Sequence, residues 1–328
     1  MPVQTTCPHC ATPCLVGEQH LGQMVRCFAC AQVFRLQATA TPNSSAPETD
    51  WDDSGVPLPS FDDEPERDGS LTLDVGSATT AGKVRETNED AFLVRRQAWS
   101  AGTAKHEVML LAVADGMGGY GGGEKASTLA VQTLQAALAP WFDKAVAGRI
   151  EAELNVADEL RAALNEASKA VHTASLADPA LKGMGAAAVV ALICGDQAHV
   201  AHVGDCRAYH FHGGKLKQAT KDQTLLQRML DLGTLQPHET QNHPAKNELS
   251  QALGRRPDVA PDFCQLALGR DHWLLLASDG LHCHLSHDEL QKELTLSLPS
   301  TAFLAQRLID VVNKRGGSDN CTVIAVHG

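Results

Sequence analysis

The stretches "MLLAVADG" at 109–116 and "WLLLASDG" at 273–280 follow one plan: a short apolar run that stops at Asp115-Gly116 in the first and at Asp279-Gly280 in the second. Apolar runs of this length, bounded by turn-forming residues, read as buried strands. Others surround them: "LTLDVGSAT" from 71, "GAAAVVALIC" from 185, "QAHVAHVGD" from 197, "RAYHFHGGKL" from 207 and "NCTVIAVHG" from 320. Ala and Leu recur at helical spacing over 124–147 and 151–175, and later helices are expected at "SHDELQKEL" from 286 and "STAFLAQRLIDVVNKRGG" from 300, the last ending on a glycine pair. Helices come in consecutive pairs and strands in hairpin-like series. That pattern favours a layered α+β fold with antiparallel sheets over an alternating parallel sheet.

The acids fall where the strands end. Besides Asp115 and Asp279, Glu89-Asp90 opens the strand that begins near 91, and Asp319-Asn320 precedes the final one. Any single Asp-Gly after a strand is ordinary turn chemistry. Four such positions together point to carboxylates converging at one end of a sheet. Uncompensated, they would repel and raise one another's pKa; divalent cations would relieve this, and an all-oxygen donor set suits hard ions such as Mg²⁺ or Mn²⁺. Arg85 stands beside them in "GKVRETNEDAF" at 82–92. Neighbouring side chains of a strand leave opposite faces, so Glu89 and Asp90 are expected to part, one toward a cation and the other toward what lies behind it. The plainer reading of that stretch is a turn followed by a solvated edge.

The rest of the chain sets bounds. Its 328 residues are 43% hydrophobic and 20% charged, as in a globular protein. "MPVQTTCPHC" has no signal-peptide character and the longest apolar run, 185–195, is too short to span a bilayer, so a cytoplasmic protein is expected, with no membrane partner. The net charge of −12 is uneven: residues 37–70 hold nine acids against one arginine, and no segment carries a basic stripe, which argues against a nucleic-acid partner. Five of ten cysteines lie within the first thirty residues. Cys7, Cys10, Cys27 and Cys30 form two C-x-x-C pairs, a spacing that closes a tetrahedron around structural Zn²⁺; a redox pair or chance clustering is the alternative. Residues 1–36 resemble a short zinc ribbon. Residues 37–70, rich in Pro, Ser, Thr and acids, read as a flexible linker in which Trp51 and Phe61 are isolated aromatics or short docking motifs. Residues 71–328 form the main domain. Its scattered cysteines, Cys206 among them, read as small buried residues in a reducing compartment.

In order along 71–328 come "GKVRETNEDAF", "VADGMGGYGGGEKAS", "GMGAAAVVAL", "HVGDCRAYHF", "TKDQTLLQRMLDLG", "HPAKNELSQALG", "LLLASDGL" and "SDNCTVIAV". The ordered set resembles the metal-dependent protein serine/threonine phosphatases of the PP2C (PPM) family. The resemblance implies a four-layer α-β-β-α sandwich, two packed antiparallel sheets with helix pairs outside. It implies two Mn²⁺ or Mg²⁺ ions, with Asp115 bridging both, Glu89 and the Gly116 carbonyl on one, and Asp279 and Asp319 on the other. Asp90 would orient the attacking water and Arg85 would bind phosphate. The implied reaction is hydrolysis of phosphoserine and phosphothreonine on proteins by a water or hydroxide held between the ions. In a bacterium it would oppose a Ser/Thr kinase, and a monomer is expected.

Departures from the family pattern are visible. Met117 stands where many eukaryotic members have a histidine proposed as general acid. Ala186 and Ala187 replace two hydroxyl residues. Ala180 and Leu181 occupy a stretch where an acid often helps hold a third ion, with Asp178 slightly early, and Gln223 replaces an expected His. His282, His284 and His287, with Cys283 nearby, follow Asp279 either as partly exposed residues of a strand-to-helix turn or as a second metal site. Two competing readings are a catalytically silent binding module built on the same fold and a zinc-ribbon nucleic-acid binder.

Overall fold

The computed structural model describes residues 2–6, 13–17, 24–26, 33–35 and 72–328, except 102–103, 120, 147–154, 241–242, 246–247 and 297–299. The chain divides into two units, Met1–Glu64 and Pro65–Gly328. In the first, β1 (Pro2–Thr6) pairs antiparallel with β2 (Pro13–Gly17), and β3 (Met24–Arg26) with β4 (Val33–Arg35). Cys7, Cys10, Cys27 and Cys30 lie outside the described residues, as does the linker with Trp51 and Phe61.

The second unit holds two five-stranded sheets. One is built from β5 (Asp74–Thr80), β10 (Arg207–His212), β11 (Lys215–Gln218), β13 (Trp273–Ala277) and β14 (Cys321–His327), in the order β11-β10-β13-β14-β5. The other is built from β6 (Asp90–Ala101), β7 (Ala104–Met117), β8 (Gly185–Cys194), β9 (Gln197–Val203) and β12 (Asp262–Ala267), in the order β12-β9-β8-β7-β6. All neighbouring strands are antiparallel. The helices are α1 (Gly122–Val146), α2 (Val156–Ala177), α3 (Leu225–Asp231), α4 (Asp279–His282), α5 (His287–Thr295) and α6 (Thr301–Lys314).

Side-chain parity sorts the apolar residues into three layers. On β7, Val108, Leu110, Ala112 and Ala114 pack against α1 and α2 through Ala130, Leu134, Leu160 and Leu164. Met109, Leu111 and Val113 face the other way and meet Leu274, Leu276, Ile324 and Val326 of the opposite sheet. Beyond those, Leu275, Ala277, Val323 and Ala325 pack on α5 and α6 through Leu290, Leu304, Leu308 and Val312. This is the expected four-layer sandwich. It explains why the central strands are apolar without alternation: both faces are covered. Each central leucine is fully buried, and truncating one such as Leu111 to Ala would cost about 3 kcal/mol.

Two features escaped the sequence reading. β12 is a short edge strand, DFCQLA, with Phe263 packed toward the helices and Cys264 and Leu266 toward the opposite sheet, and α3 is a short helix capped by Thr224, whose side chain accepts from the Gln227 N–H. Among the described residues, no helix is long and apolar enough to cross a membrane.

Candidate active site

The antiparallel register places Asp90 opposite Asp115, and Asp115 opposite Ala187 on its other side. Asp115 shares its strand face with Val113 and Met109, so its carboxyl enters the space between the sheets at the strand's end. Asp279 arrives from the opposite sheet as the first residue of α4, just past β13, and Asp319 sits one residue further from β14 than Asn320. Carboxylates from both sheets therefore meet at one end of the intersheet layer. Asp115 lies within β7, which continues to Met117, rather than ending it.

Neither Asp-Gly pair is a positive-φ turn. The glycines serve close approach instead. A Cβ on Gly116 would lie 2.0 Å from the Gly123 carbonyl oxygen, and one on Gly280 would lie 1.9 Å from that of Asn320. The first lets the start of α1 abut β7, and the second lets α4 abut the loop before β14.

Glu89 and Asp90 part as strand geometry demands. The Glu89 side chain accepts from the Gly123 N–H at the start of α1, a favourable end for an anion. Asp90 turns inward, where its Oδ2 accepts from the Ser278 hydroxyl at 2.7 Å, while its Oδ1 is buried without a hydrogen-bond partner. Burial, then the charges of Asp279 and Asp319, push the Asp90 carboxyl up to about 7. Burial, then Asp279 and Asp90, hold the Asp115 carboxyl well above the usual range. Asp279 is raised by burial and then by Asp319. Asp205, which the sequence reading passed over, joins the group: burial, then Asp279 and Asp222, push it up to about 7. Only its place in "HVGDCRAYHF", right after a strand, hinted at this.

Such a cluster is unfavourable as it stands, because its charged form lacks compensation. Oxygen donors in a desolvated site, with the Asp90 Oδ1 left over, fit hard divalent cations. Among the described residues no three His, Cys, Asp or Glu side chains close on one point as a ready ligand set. Hard ions such as Mg²⁺ are often held by one or two protein carboxylates and complete their shell with water.

Arg85 lies at the rim. Its Nη2 donates to Asp319, 3.0 Å from Oδ2 and 3.0 Å from Oδ1. A second guanidinium, also missed in the sequence, stands nearby: Arg255 Nη2 is 3.8 Å from the Met117 sulfur. It has no carboxylate partner among the described residues.

Side-chain pins hold the loops. Asn320 accepts the Glu89 N–H at 2.8 Å and donates to the Ala81 and Thr87 carbonyls at 3.0 and 2.9 Å. The Ser278 hydroxyl accepts from the Thr322 N–H at 2.9 Å while donating to Asp90. Gln223 accepts from Gly204 N–H at 3.0 Å and donates to Asp262 at 2.8 Å, so it braces the Asp205 loop. Ala187, beside Asp115, packs under Gly204, where a Cβ would meet it at 2.6 Å. Asp178 caps a 3-10 turn by accepting from the Ala180 N–H. The His284 ring bonds Gly280 and Ser318, and His287 Nε2 lies 3.1 Å from the Leu216 carbonyl oxygen.

The family model described as protein phosphatase 2C matches residues 83–319. The serine/threonine protein phosphatase PstP of Mycobacterium tuberculosis is 33% identical over 255 residues, which is 78% of this chain and 45% of that protein. The chain thus spans under half the length of that relative. The protein phosphatase PhpP of Streptococcus pneumoniae is 32% identical over 77% of this chain and 97% of its own length. A crystal structure of the catalytic domain of serine threonine protein phosphatase PstP with two manganese ions is similar with a TM-score of 0.62, at 31% identity, covering 78% of this chain and 97% of that one.

Proposed function

The chain belongs to the protein phosphatase 2C family, and from that premise we propose that it hydrolyses phosphoserine and phosphothreonine on proteins. The observation that carries this reading is the convergence of Asp90, Asp115 and Asp279, all raised by burial and by neighbouring carboxylates, with Asp319 at the rim beside Arg85. The relatives named as serine/threonine phosphatases support the substrate class. A Ser/Thr kinase acting on the same proteins is the natural counterpart, and the cysteines at 194, 206, 264 and 321, none of them in a disulfide, suit a reducing, cytoplasmic setting.

In this reading Asp115 would help hold two Mn²⁺ or Mg²⁺ ions, together with Glu89 and the Gly116 carbonyl for one and Asp279 and Asp319 for the other. When bound, the ions neutralise phosphoryl charge and lower the pKa of the attacking water. The chain's own residues do the rest. Arg85 presents a planar fork that matches two phosphate oxygens, and its present partner Asp319 is one of the carboxylates that would hold an ion. Asp90, pinned through Oδ2 by Ser278, keeps Oδ1 to accept a hydrogen bond from water and orient it. Met117, which offers no proton, stands where many eukaryotic members have a histidine proposed as general acid, and water could take that part.

At the other end of the chain, we propose structural Zn²⁺ on Cys7, Cys10, Cys27 and Cys30. Each C-x-x-C pair falls between the strands of one hairpin, β1–β2 or β3–β4, which is the connectivity of a ribbon. Zinc content of the wild type beside Cys7→Ser/Cys27→Ser tests this.

The activity is tested by phosphate release from a phosphothreonine peptide across a Mn²⁺ titration, wild type beside Asp279→Asn. Metal-dependent turnover that the substitution abolishes is expected. Folded protein with no turnover at any Mn²⁺ or Mg²⁺ level would favour a silent binding module.

A further inference from the structure

His284 touches neither sheet's ladder, yet it joins two strand ends of the site. The Ser318 backbone N–H donates to its Nε2 at 3.2 Å. A nitrogen that accepts carries no proton, so the ring hydrogen resides on Nδ1, which then donates to the Gly280 carbonyl at 2.8 Å. The Ser318 hydroxyl also lies within 3.1 Å of Nε2. Gly280 follows Asp279, and Ser318 precedes Asp319. One rigid neutral ring thus spans the segments that present both aspartates.

Its own backbone is held from behind. Arg315 Nη1 donates to the His284 carbonyl at 2.7 Å, and the same guanidinium forks onto Glu289 at 2.9 and 2.7 Å. Glu289 in turn closes the capping box of α5 with Ser286. Deeper in, Ser278 and Thr322 link the same two strands through main chain and hydroxyl. Outside that link, the charge of Asp319 works against that of Asp279, and the Arg85 guanidinium on Asp319 leaves Asp279 still raised.

We infer that His284 is a positioning residue, a tie that holds the Asp279 and Asp319 segments at the spacing a shared cation needs. The inference rests on the two-ion reading above. The geometry asks for a donor and an acceptor at opposite edges of one stiff side chain, which neutral imidazole supplies and neither Lys nor Leu does. Removing groups of this kind behind metal ligands lowers metal affinity by roughly 10–100-fold.

The test is calorimetric titration of Mn²⁺ into the metal-free full chain. Wild type is compared with His284→Leu, which keeps bulk but neither bond, and with His284→Gln, whose amide restores an acceptor near the position of Nε2. His284→Leu is expected to weaken one of the two Mn²⁺ sites about tenfold or more, with phosphopeptide KM unchanged once Mn²⁺ is saturating. His284→Gln is expected to recover part of that loss, because it returns an acceptor for Ser318 but not the donor to Gly280. Wild-type affinity in the Leu variant, or a loss that Gln does not relieve, would overturn the tie. Should the Leu variant fail to fold, the ring ¹⁵N shifts of wild-type His284 decide: a proton on Nδ1 supports the tie, and a proton on Nε2 removes its acceptor and overturns it. The two readings fail differently, since wild type that takes up no Mn²⁺ contradicts the two-ion centre, whereas uptake indifferent to His284 contradicts only the tie.

Discussion

The two sheets contribute to the site by different means. Asp90 and Asp115 stand in ladder register with each other, and Asp115 is flanked on its other side by Ala187, so main-chain hydrogen bonds set where they are. Asp279 and Asp319 lie just outside their strands and depend on Ser278, Asn320 and His284 for their place. One half of the site is as stiff as the sheet, and the other is as stiff as its side-chain pins. Damage to the first half should therefore be all-or-none, and damage to the second should be graded.

The largest expected effect comes from Asp115→Asn. Phosphate release should fall by on the order of 10³-fold or more, because metal catalysis supplies several kcal/mol of charge stabilisation. The metal-free protein should move the other way and melt higher, roughly 2–4 °C for each kcal/mol of relieved repulsion, as a thermal scan in chelator would show. Loss of both stability and activity would mean that Asp115 is structural, and would break the comparison.

Asn320→Ala should come next. It strands the Glu89 N–H and two carbonyls, at about 3 kcal/mol by denaturant unfolding. Because the pin belongs to the graded half, activity should return substantially at high Mn²⁺.

The pH dependence of the metal-free protein sharpens the same contrast. Asp90 and Asp205 sit at about 7 in the folded state, against about 3.9 unfolded. Between these values the folded state holds protons that the unfolded state has released, so the contribution of these two groups to stability is fullest below pH 4 and is lost as pH rises through 7. Melting in chelator should thus be higher at pH 5 than at pH 7.5, and saturating Mn²⁺ should erase or invert that order. The smallest effect is expected from Arg255→Ala: a roughly threefold rise in phosphopeptide KM, with kcat unchanged, for an exposed cation beside Met117 that faces an anionic substrate in high dielectric.

Much of the arrangement was legible in one dimension because it rests on local pattern. Unbroken apolar runs such as 109–114 marked strands covered on both faces, and acids at their ends marked the end of the sheets where the carboxylates gather. The helix pairs announced themselves through Ala and Leu spacing. What stayed hidden depends on contacts between distant segments. Asp205 follows a strand as many aspartates do, and only burial beside Asp279 sets it apart. Asn320 looked like a companion of Asp319, yet its amide pins a loop more than 230 positions away in the chain. His284 looked like one of several turn histidines, and its two partners give it a role that its neighbours lack. β12 went unseen because Asp262 and Gln265 interrupt a run of only six residues, which leaves no clear period.

The most direct test of the central claim counts ions. Calorimetric titration of Mn²⁺ into the metal-free chain, for wild type, Asp319→Asn and Asp115→Asn, reads the stoichiometry at the convergence of the two sheets. Two ions in wild type, one after Asp319→Asn and none after Asp115→Asn would match a centre bridged by the stiff half and completed by the pinned half. Two ions still bound by Asp115→Asn would contradict it.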